Sequence, residues 1–287
     1  MTLPIPARLV ENCAKVQERG LWLERLPHVV RDLERRWHLT LGPPFDGDGM
    51  VIAWVAPARL PSGTPAVLKV GMPHMEADHE LHGMRFWNGD PTARLIDADD
   101  DSGAMLLERC EPGTSLRELP EPDQDVVIAQ LLRRLWRMPP AHSPFRPLSA
   151  MTDYWSEMAL ADAARWPDAD LVRDGLHLFT ELSRNATTTA LLATDLHAGN
   201  VLRAERKPWL VIDPKPFVGD TAYDATQHLL NCRGRLRSDP AGTIGRFADL
   251  LDVDRERVRL WTFARLAAEP WEEWTGESLK LARAVSR

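Results

Sequence analysis

The chain has 287 residues, enough to bury a substantial core and to divide into two lobes. Hydrophobic residues make up 44% and charged residues 27%, the balance of an ordinary globular protein. A formal net charge of −7 argues against the basic face that nucleic-acid binding needs, and no apolar run reaches the roughly 20 residues of a membrane span.

The N-terminal residues 1–16 lack the apolar core of a signal peptide, and the three cysteines, Cys13, Cys110 and Cys232, have no metal-like spacing. Reduced thiols in a cytoplasmic protein are the expectation. Residues 6–39 read as amphipathic helix, with Leu23, Leu26, Val29, Val30, Leu33 and Trp37 on one stripe and a break expected at Pro27. Gly42-Pro43-Pro44 ends it. Strands are expected at 50–55 and 65–70 around the turn 60–64, then a helix at 76–87 closed by Asn88-Gly89. Strands at 93–96 and 104–108 flank an acidic turn. From Pro112 onward the pattern is helical, at 125–138, 152–165 and 171–184, with a hairpin at 201–203 and 209–212 and further helices after Asp224. This is an α+β chain: a small sheet lobe over 1–110 and a larger helical lobe over 111–287, with a hinge near 110–115.

Two constellations carry chemistry. Residues 191–202 read L-L-A-T-D-L-H-A-G-N-V-L, followed by W-L-V-I-D-P at 209–214. Phosphoryl transfer needs a base for the attacking hydroxyl and oxygen ligands that hold Mg²⁺ against phosphates. Asp195 and Asn200 have the D-x-x-x-x-N spacing of a kinase catalytic loop, and Asp213 ends an apolar strand. The hairpin between Asn200 and Asp213 brings its two ends together. In the sheet lobe, Lys69 sits inside the apolar run A-V-L-K-V and needs a carboxylate; Glu76 and Glu80, four apart on the next helix, both qualify.

Residues 193–224 resemble the H-G-D-L-H-x-x-N … I-D-P … G-D-x-x-x-D signature of the aminoglycoside phosphotransferase family. The wording I-D-P-K-P-F-V-G-D is most similar to its streptomycin 6-kinase and hydroxyurea phosphotransferase branch. The resemblance implies a protein-kinase-like bilobal fold that uses ATP and Mg²⁺. By it, Asp195 is the catalytic base, Asn200 and Asp213 are the metal ligands, and Lys69 orients the phosphates, held by Glu80. It places Gly47 and Gly49 in a phosphate-covering loop that works through backbone N–H groups. Leu107 becomes an apolar wall, and main-chain groups of Glu108 to Cys110 contact adenine. Asp224 either braces the catalytic loop or caps the following helix, and His197 packs beneath the loop. Ala193 and Thr194 depart from the family's His and Gly, which bears on loop rigidity and activity.

The acceptor implied is a cationic aminoglycoside of the streptomycin type; hydroxyurea, another small hydroxyl metabolite, or an idle nucleotide-binding homologue are the alternatives. Guanidinium groups favour carboxylates and aromatic faces, which Glu269, Trp271, Glu272 and Trp274 offer. The same four residues suit still better a packed helix with solvated glutamates. A monomer or weak dimer is expected.

Overall fold

The computed structural model describes residues 3–14, 16–46, 52–268 and 276–286. The chain divides into two units, Met1–Gly113 with Arg203–Leu210, and Thr114–Leu202 with Val211–Arg287.

In the first unit, helices α1 (Ala7–Cys13) and α2 (Gln17–Arg36) precede strands β1 (Thr40–Leu41), β2 (Ala53–Arg59) and β3 (Pro65–Gly71). Helix α3 (Glu80–Trp87) and strands β4 (Leu95–Asp99) and β5 (Ala104–Glu108) complete it. The strands form an antiparallel sheet in the order β1-β2-β3-β5-β4, in which Lys69 lies opposite Val55 on one side and Met105 on the other. Leu26, Val30 and Leu33 of α2 are buried in one cluster with Trp54, Leu68, Val70 and Leu106 of the sheet.

That packing explains a correction. Pro27 lies inside α2, and the helical stretch is broken between α1 and α2 instead. Proline in a helix interior costs about 3 kcal/mol. Burying the three aliphatic side chains of the stripe returns about 1.5–3 kcal/mol each, so the helix runs on through the proline. Helix α3 ends as expected, with Asn88 and Gly89 at positive φ (48° and 73°). Strand β4 runs further than expected, through Asp97 to Asp99, because it is an edge strand whose outer side accepts charge.

Strand β6 (Pro112–Ser115) straddles the division. The second unit follows with α4 (Glu121–Leu135), α5 (Leu148–Ala161), α6 (Ala169–Arg184) and β7 (Thr189–Leu192). The hairpin is made of β8 (Val201–Ala204) and β9 (Trp209–Val211). Strand β10 (Phe217–Asp220) then leads into α7 (Thr221–Asn231), α8 (Arg233–Ser238), α9 (Pro240–Leu251), α10 (Arg255–Ala268) and α11 (Gly276–Val285). Strands β7 and β10 pair antiparallel, Leu192 opposite Phe217. A row of rings, Trp155–Phe179–Trp261–Tyr223, links α5, α6, α10 and α7 at centroid spacings of 5.1–6.3 Å. Among the described residues no helix is long and apolar enough to cross a membrane.

Candidate active site

In the first unit, Lys69 is drawn into the sheet because its neighbours along β3 are apolar and the strand is central. Its Nζ donates to Glu80 Oε1 at 2.5 Å, and both side chains are almost wholly buried. Of the two glutamates open at the sequence level, the partner is Glu80, the first residue of α3; Glu76 lies in a separate short turn. The helix N-terminus adds its own partial positive charge beside the carboxylate. A buried ion pair of this kind adds little net stability, because the desolvation of both charges offsets their attraction.

Leu107 is buried at the end of β5. The Glu108 main-chain N–H donates to Arg94 O at 2.8 Å, so that donor is engaged within the fold rather than offered to a base. Burial opposes the charge on the Glu108 carboxyl, but Arg206 and the Arg94 N–H hold it below its usual range. Arg206 reaches both carboxylate oxygens at 2.8–3.1 Å and also donates to Gly89 O and Thr92 O. Burial, and then Glu108, push the Cys110 thiol up to about 11. Gly47 and Gly49 lie outside the described residues, as do Glu269, Trp271, Glu272 and Trp274.

In the second unit, the loop after β7 holds Asp195 and Asn200 of the expected constellation. Asp224, in the first turn of α7, accepts from Ala193 N (2.9 Å), Thr194 N (2.7 Å) and Trp136 Nε1 (2.9 Å). The cap of α7 is Asp220, which accepts from Ala222 N. Asp224 is therefore the brace. Burial raises its carboxyl to about 6 despite the three donors and the Arg265 charge.

Ala193 O accepts from Lys215 N (2.8 Å) and Asp195 N (2.6 Å), so the supports of this loop run through the main chain of residue 193. They need no imidazole there. Thr194 takes the left-handed conformation (φ 47°) that a glycine would adopt without strain, and its hydroxyl donates to Lys215 O at 2.6 Å.

Asn200 Nδ2 donates to Asp195 O at 3.0 Å and lies 3.5 Å from Asp195 Oδ2. Across the hairpin, Ile212 N donates to Asn200 O at 2.9 Å, which sets Asn200 beside the residue before Asp213. Asp213 is also left-handed (φ 53°). The ammonium of Lys215, itself 2% exposed, sits on Asp213 Oδ1. The donor set fits Mg²⁺. Both groups offer hard oxygens, Asn200 turns its nitrogen to Asp195 so that Oδ1 is its coordinating end, and Asp213 already attracts a cation.

His197 Nδ1 accepts from Gly199 N at 3.0 Å and lies 3.4 Å from Arg117 NH2. Burial first, then the Arg117 charge, lowers its pKa to about 4, so it is a neutral loop lock. A Cβ on Gly199 would stand 2.7 Å from both the Arg117 guanidinium carbon and Cε1 of the His197 ring, which explains the glycine.

Four contributors escaped the sequence reading. Lys215 lay in plain view in the I-D-P-K-P run. Gln227, one turn beyond Asp224, donates through Nε2 to Asp195 Oδ1 at 2.6 Å. Arg265 of α10 donates to Gln227 Oε1 at 2.7 Å, and Trp136 bonds the brace. The last two are far away in sequence and have no local signal. Nearby, Asp125, His228 and Cys232 form a buried cluster with metal-like composition. Arg235 already supplies the countercharge, binding both Asp125 oxygens at 3.0 and 2.6 Å. His228 Nε2 and Arg235 both bond the Asp125 carboxylate, an ion-pair network that ties α7 and α8 to α4, and burial and then the neighbouring carboxylates push the Cys232 thiol up to about 12.

Residues 36–273 match the family described as aminoglycoside/hydroxyurea antibiotic resistance kinase. The chain is 35% identical over 281 residues to a streptomycin 6-kinase of Streptomyces glaucescens, covering 91% of this chain and 88% of that one. It is 34% identical over 288 residues to a hydroxyurea phosphotransferase of Kitasatospora aureofaciens, covering 95% and 81%. Among solved structures, a choline kinase of Streptococcus pneumoniae matches with a TM-score of 0.63 over 90% of this chain and 98% of that one, at 11% identity. That likeness bears on fold alone, and it is the kinase-like α+β fold expected from the sequence.

Proposed function

This chain belongs to the aminoglycoside/hydroxyurea antibiotic resistance kinase family, and we propose that it transfers the γ-phosphoryl group of ATP to a hydroxyl of a streptomycin-type aminoglycoside. The observation that carries the reading is the Asp195–Asn200–Asp213 constellation, held in the second unit by the Asp224 brace and by the Ile212 N to Asn200 O bond. Asp195 takes the hydroxyl proton as the acceptor oxygen bonds to phosphorus and the bond to the ADP oxygen breaks. Asn200 and Asp213 would hold Mg²⁺, which would neutralise charge on the phosphate oxygens. Lys69, kept in place by Glu80, takes the α- and β-phosphates; Leu107 walls the base, and main-chain groups at Cys110 contact it.

The 34% identity to a hydroxyurea phosphotransferase supports a second acceptor, hydroxyurea. The test is a panel of aminoglycosides and hydroxyurea, read by ADP release and by mass gain of one phosphoryl group. Transfer to streptomycin that needs Mg²⁺ and disappears in Asp195→Ala is the expected result. Binding of Mg-ATP with no transfer to any member of the panel would refute it in favour of an idle nucleotide binder.

A further inference from the structure

Asp195 is held from below as well as along its own loop. Gln227 Nε2 donates to its Oδ1 at 2.6 Å, and Gln227 Oε1 accepts from Arg265 NH2 at 2.7 Å. Arg265 is 5% exposed. Its other arm donates to Thr226 Oγ1 at 2.7 Å, and the guanidinium lies 4.9 Å from the centre of the Tyr223 ring. The Thr226 hydroxyl donates in turn to Tyr223 O at 2.6 Å. These contacts join two helices of the second unit, α7 and α10.

The direction of this chain is forced. A guanidinium only donates, so the end of the Gln227 amide that faces Arg265 must be its oxygen. The NH2 end then faces Asp195, which must accept. A flipped amide would set NH2 against guanidinium and oxygen against carboxylate, losing two hydrogen bonds at once. Helix periodicity places Asp224 and Gln227, three residues apart, on one face of α7. The same helix face therefore holds the N–H groups of Ala193 and Thr194 through Asp224, and the carboxylate of Asp195 through Gln227.

We propose that Gln227 is a positioning residue for phosphoryl transfer, fixed in one sense by Arg265, which orients the Asp195 carboxylate so that Oδ2 meets the acceptor hydroxyl. The inference rests on the proposed role of Asp195. A carboxylate free to rotate presents either oxygen at varying angles, and misplacement by about 1 Å costs on the order of a hundredfold in rate. Because Gln227 touches the base rather than nucleotide or acceptor, its loss falls on kcat and leaves KM alone.

The test compares Gln227→Leu, Gln227→Glu, Arg265→Met and the Gln227→Leu/Arg265→Met pair with the unmodified chain. Each is assayed for kcat, for KM of both substrates and for thermal midpoint. Gln227→Leu should lower kcat roughly 10- to 100-fold with both KM values within about twofold. Gln227→Glu, equal in shape but an acceptor of like charge, should lose more than Gln227→Leu. The pair should be no slower than either single variant, because Arg265 acts through Gln227. If Gln227→Leu does not fold, Gln227→Glu decides alone, since Arg265 retains a partner in it. Transfer that is lost in Asp195→Ala but kept within twofold in Gln227→Leu, or in Gln227→Glu where that variant decides, overturns the relay and leaves the kinase reading standing. An unmodified chain that transfers to no acceptor of the panel overturns both.

Discussion

Replacing Asp224 by asparagine isolates the brace under the catalytic loop. Its carboxylate accepts Thr194 N on Oδ1, and Ala193 N and Trp136 Nε1 on Oδ2, while burial raises its pKa from 3.8 to about 6. A folded-state pKa above the unfolded one means the folded chain binds the proton more tightly. The stability this contributes is fully present below 3.8 and is lost as pH rises through about 6. A gap of about two units, at about 1.36 kcal/mol each, makes the ionised group a burden of about 3 kcal/mol at neutral pH. Asparagine removes that charge and keeps one oxygen. With the oxygen at the Oδ2 position, Ala193 and Trp136 keep their acceptor and Thr194 N loses its own, at a cost of about 1–3 kcal/mol. The two effects nearly cancel, so Asp224→Asn should stay within about 2 kcal/mol of the unmodified chain near pH 7. Toward pH 5 the unmodified chain regains roughly 1 kcal/mol that the variant does not. Urea unfolding of both at about pH 5 and about pH 7.5 measures the difference, and kcat reports the loop, which should slow by roughly tenfold once Thr194 N is released. A stability difference that does not change with pH would refute the buried, reluctant carboxylate. An unchanged kcat would refute the brace.

Lys69→Met leaves the Glu80 carboxylate buried without its ammonium and should cost about 3–5 kcal/mol; adding Glu80→Gln should recover part of that loss, as thermal midpoints will show. His197 is neutral at physiological pH, so its ring protons should show no NMR titration between about pH 5.5 and 8, and the stability its depressed pKa contributes is present above 6.5 and lost as pH falls through about 4. His197→Asn, which offers an acceptor to Gly199 N, should hold kcat within about threefold, whereas His197→Phe should not. Gly199→Ala drives a methyl against both the Arg117 guanidinium and the His197 ring, each 2.7 Å from the new carbon; the arginine end can move but the ring is held on Gly199 N, so kcat should fall several-fold and stability by about 1–3 kcal/mol, read from thermal midpoints.

Much of the candidate site was legible because kinase chemistry leaves local traces. Asp195, Asn200 and Asp213 were readable from spacing and from the strand-turn-strand pattern between them. Lys69 was readable because a charge in an apolar strand demands a partner. The α+β order and the closing Asn88-Gly89 were readable from periodicity and turn chemistry. Strands β7 and β10 were missed: each is four residues long, too short to show a period, and each exists through pairing with the other across the intervening loop and hairpin.

What the sequence determined by itself was the chemical inventory of the candidate site: a carboxylate and an amide at D-x-x-x-x-N spacing, a second carboxylate at the end of a strand, and a cation inside an apolar run. Tertiary structure decided which partner each one has. Glu80 reaches Lys69 from the first turn of α3, which begins at that residue, whereas Glu76 lies in a separate short turn. Asp224 braces rather than caps because Asp220 already supplies the cap, leaving Asp224 to receive Ala193, Thr194 and Trp136. Gln227 and Arg265 gain their meaning only where α7 and α10 pack against each other, 38 residues apart in sequence. Spacing along a chain records contacts made within a turn or a hairpin. The direction of a buried hydrogen bond depends on what packs against it, and that is settled only when distant helices meet.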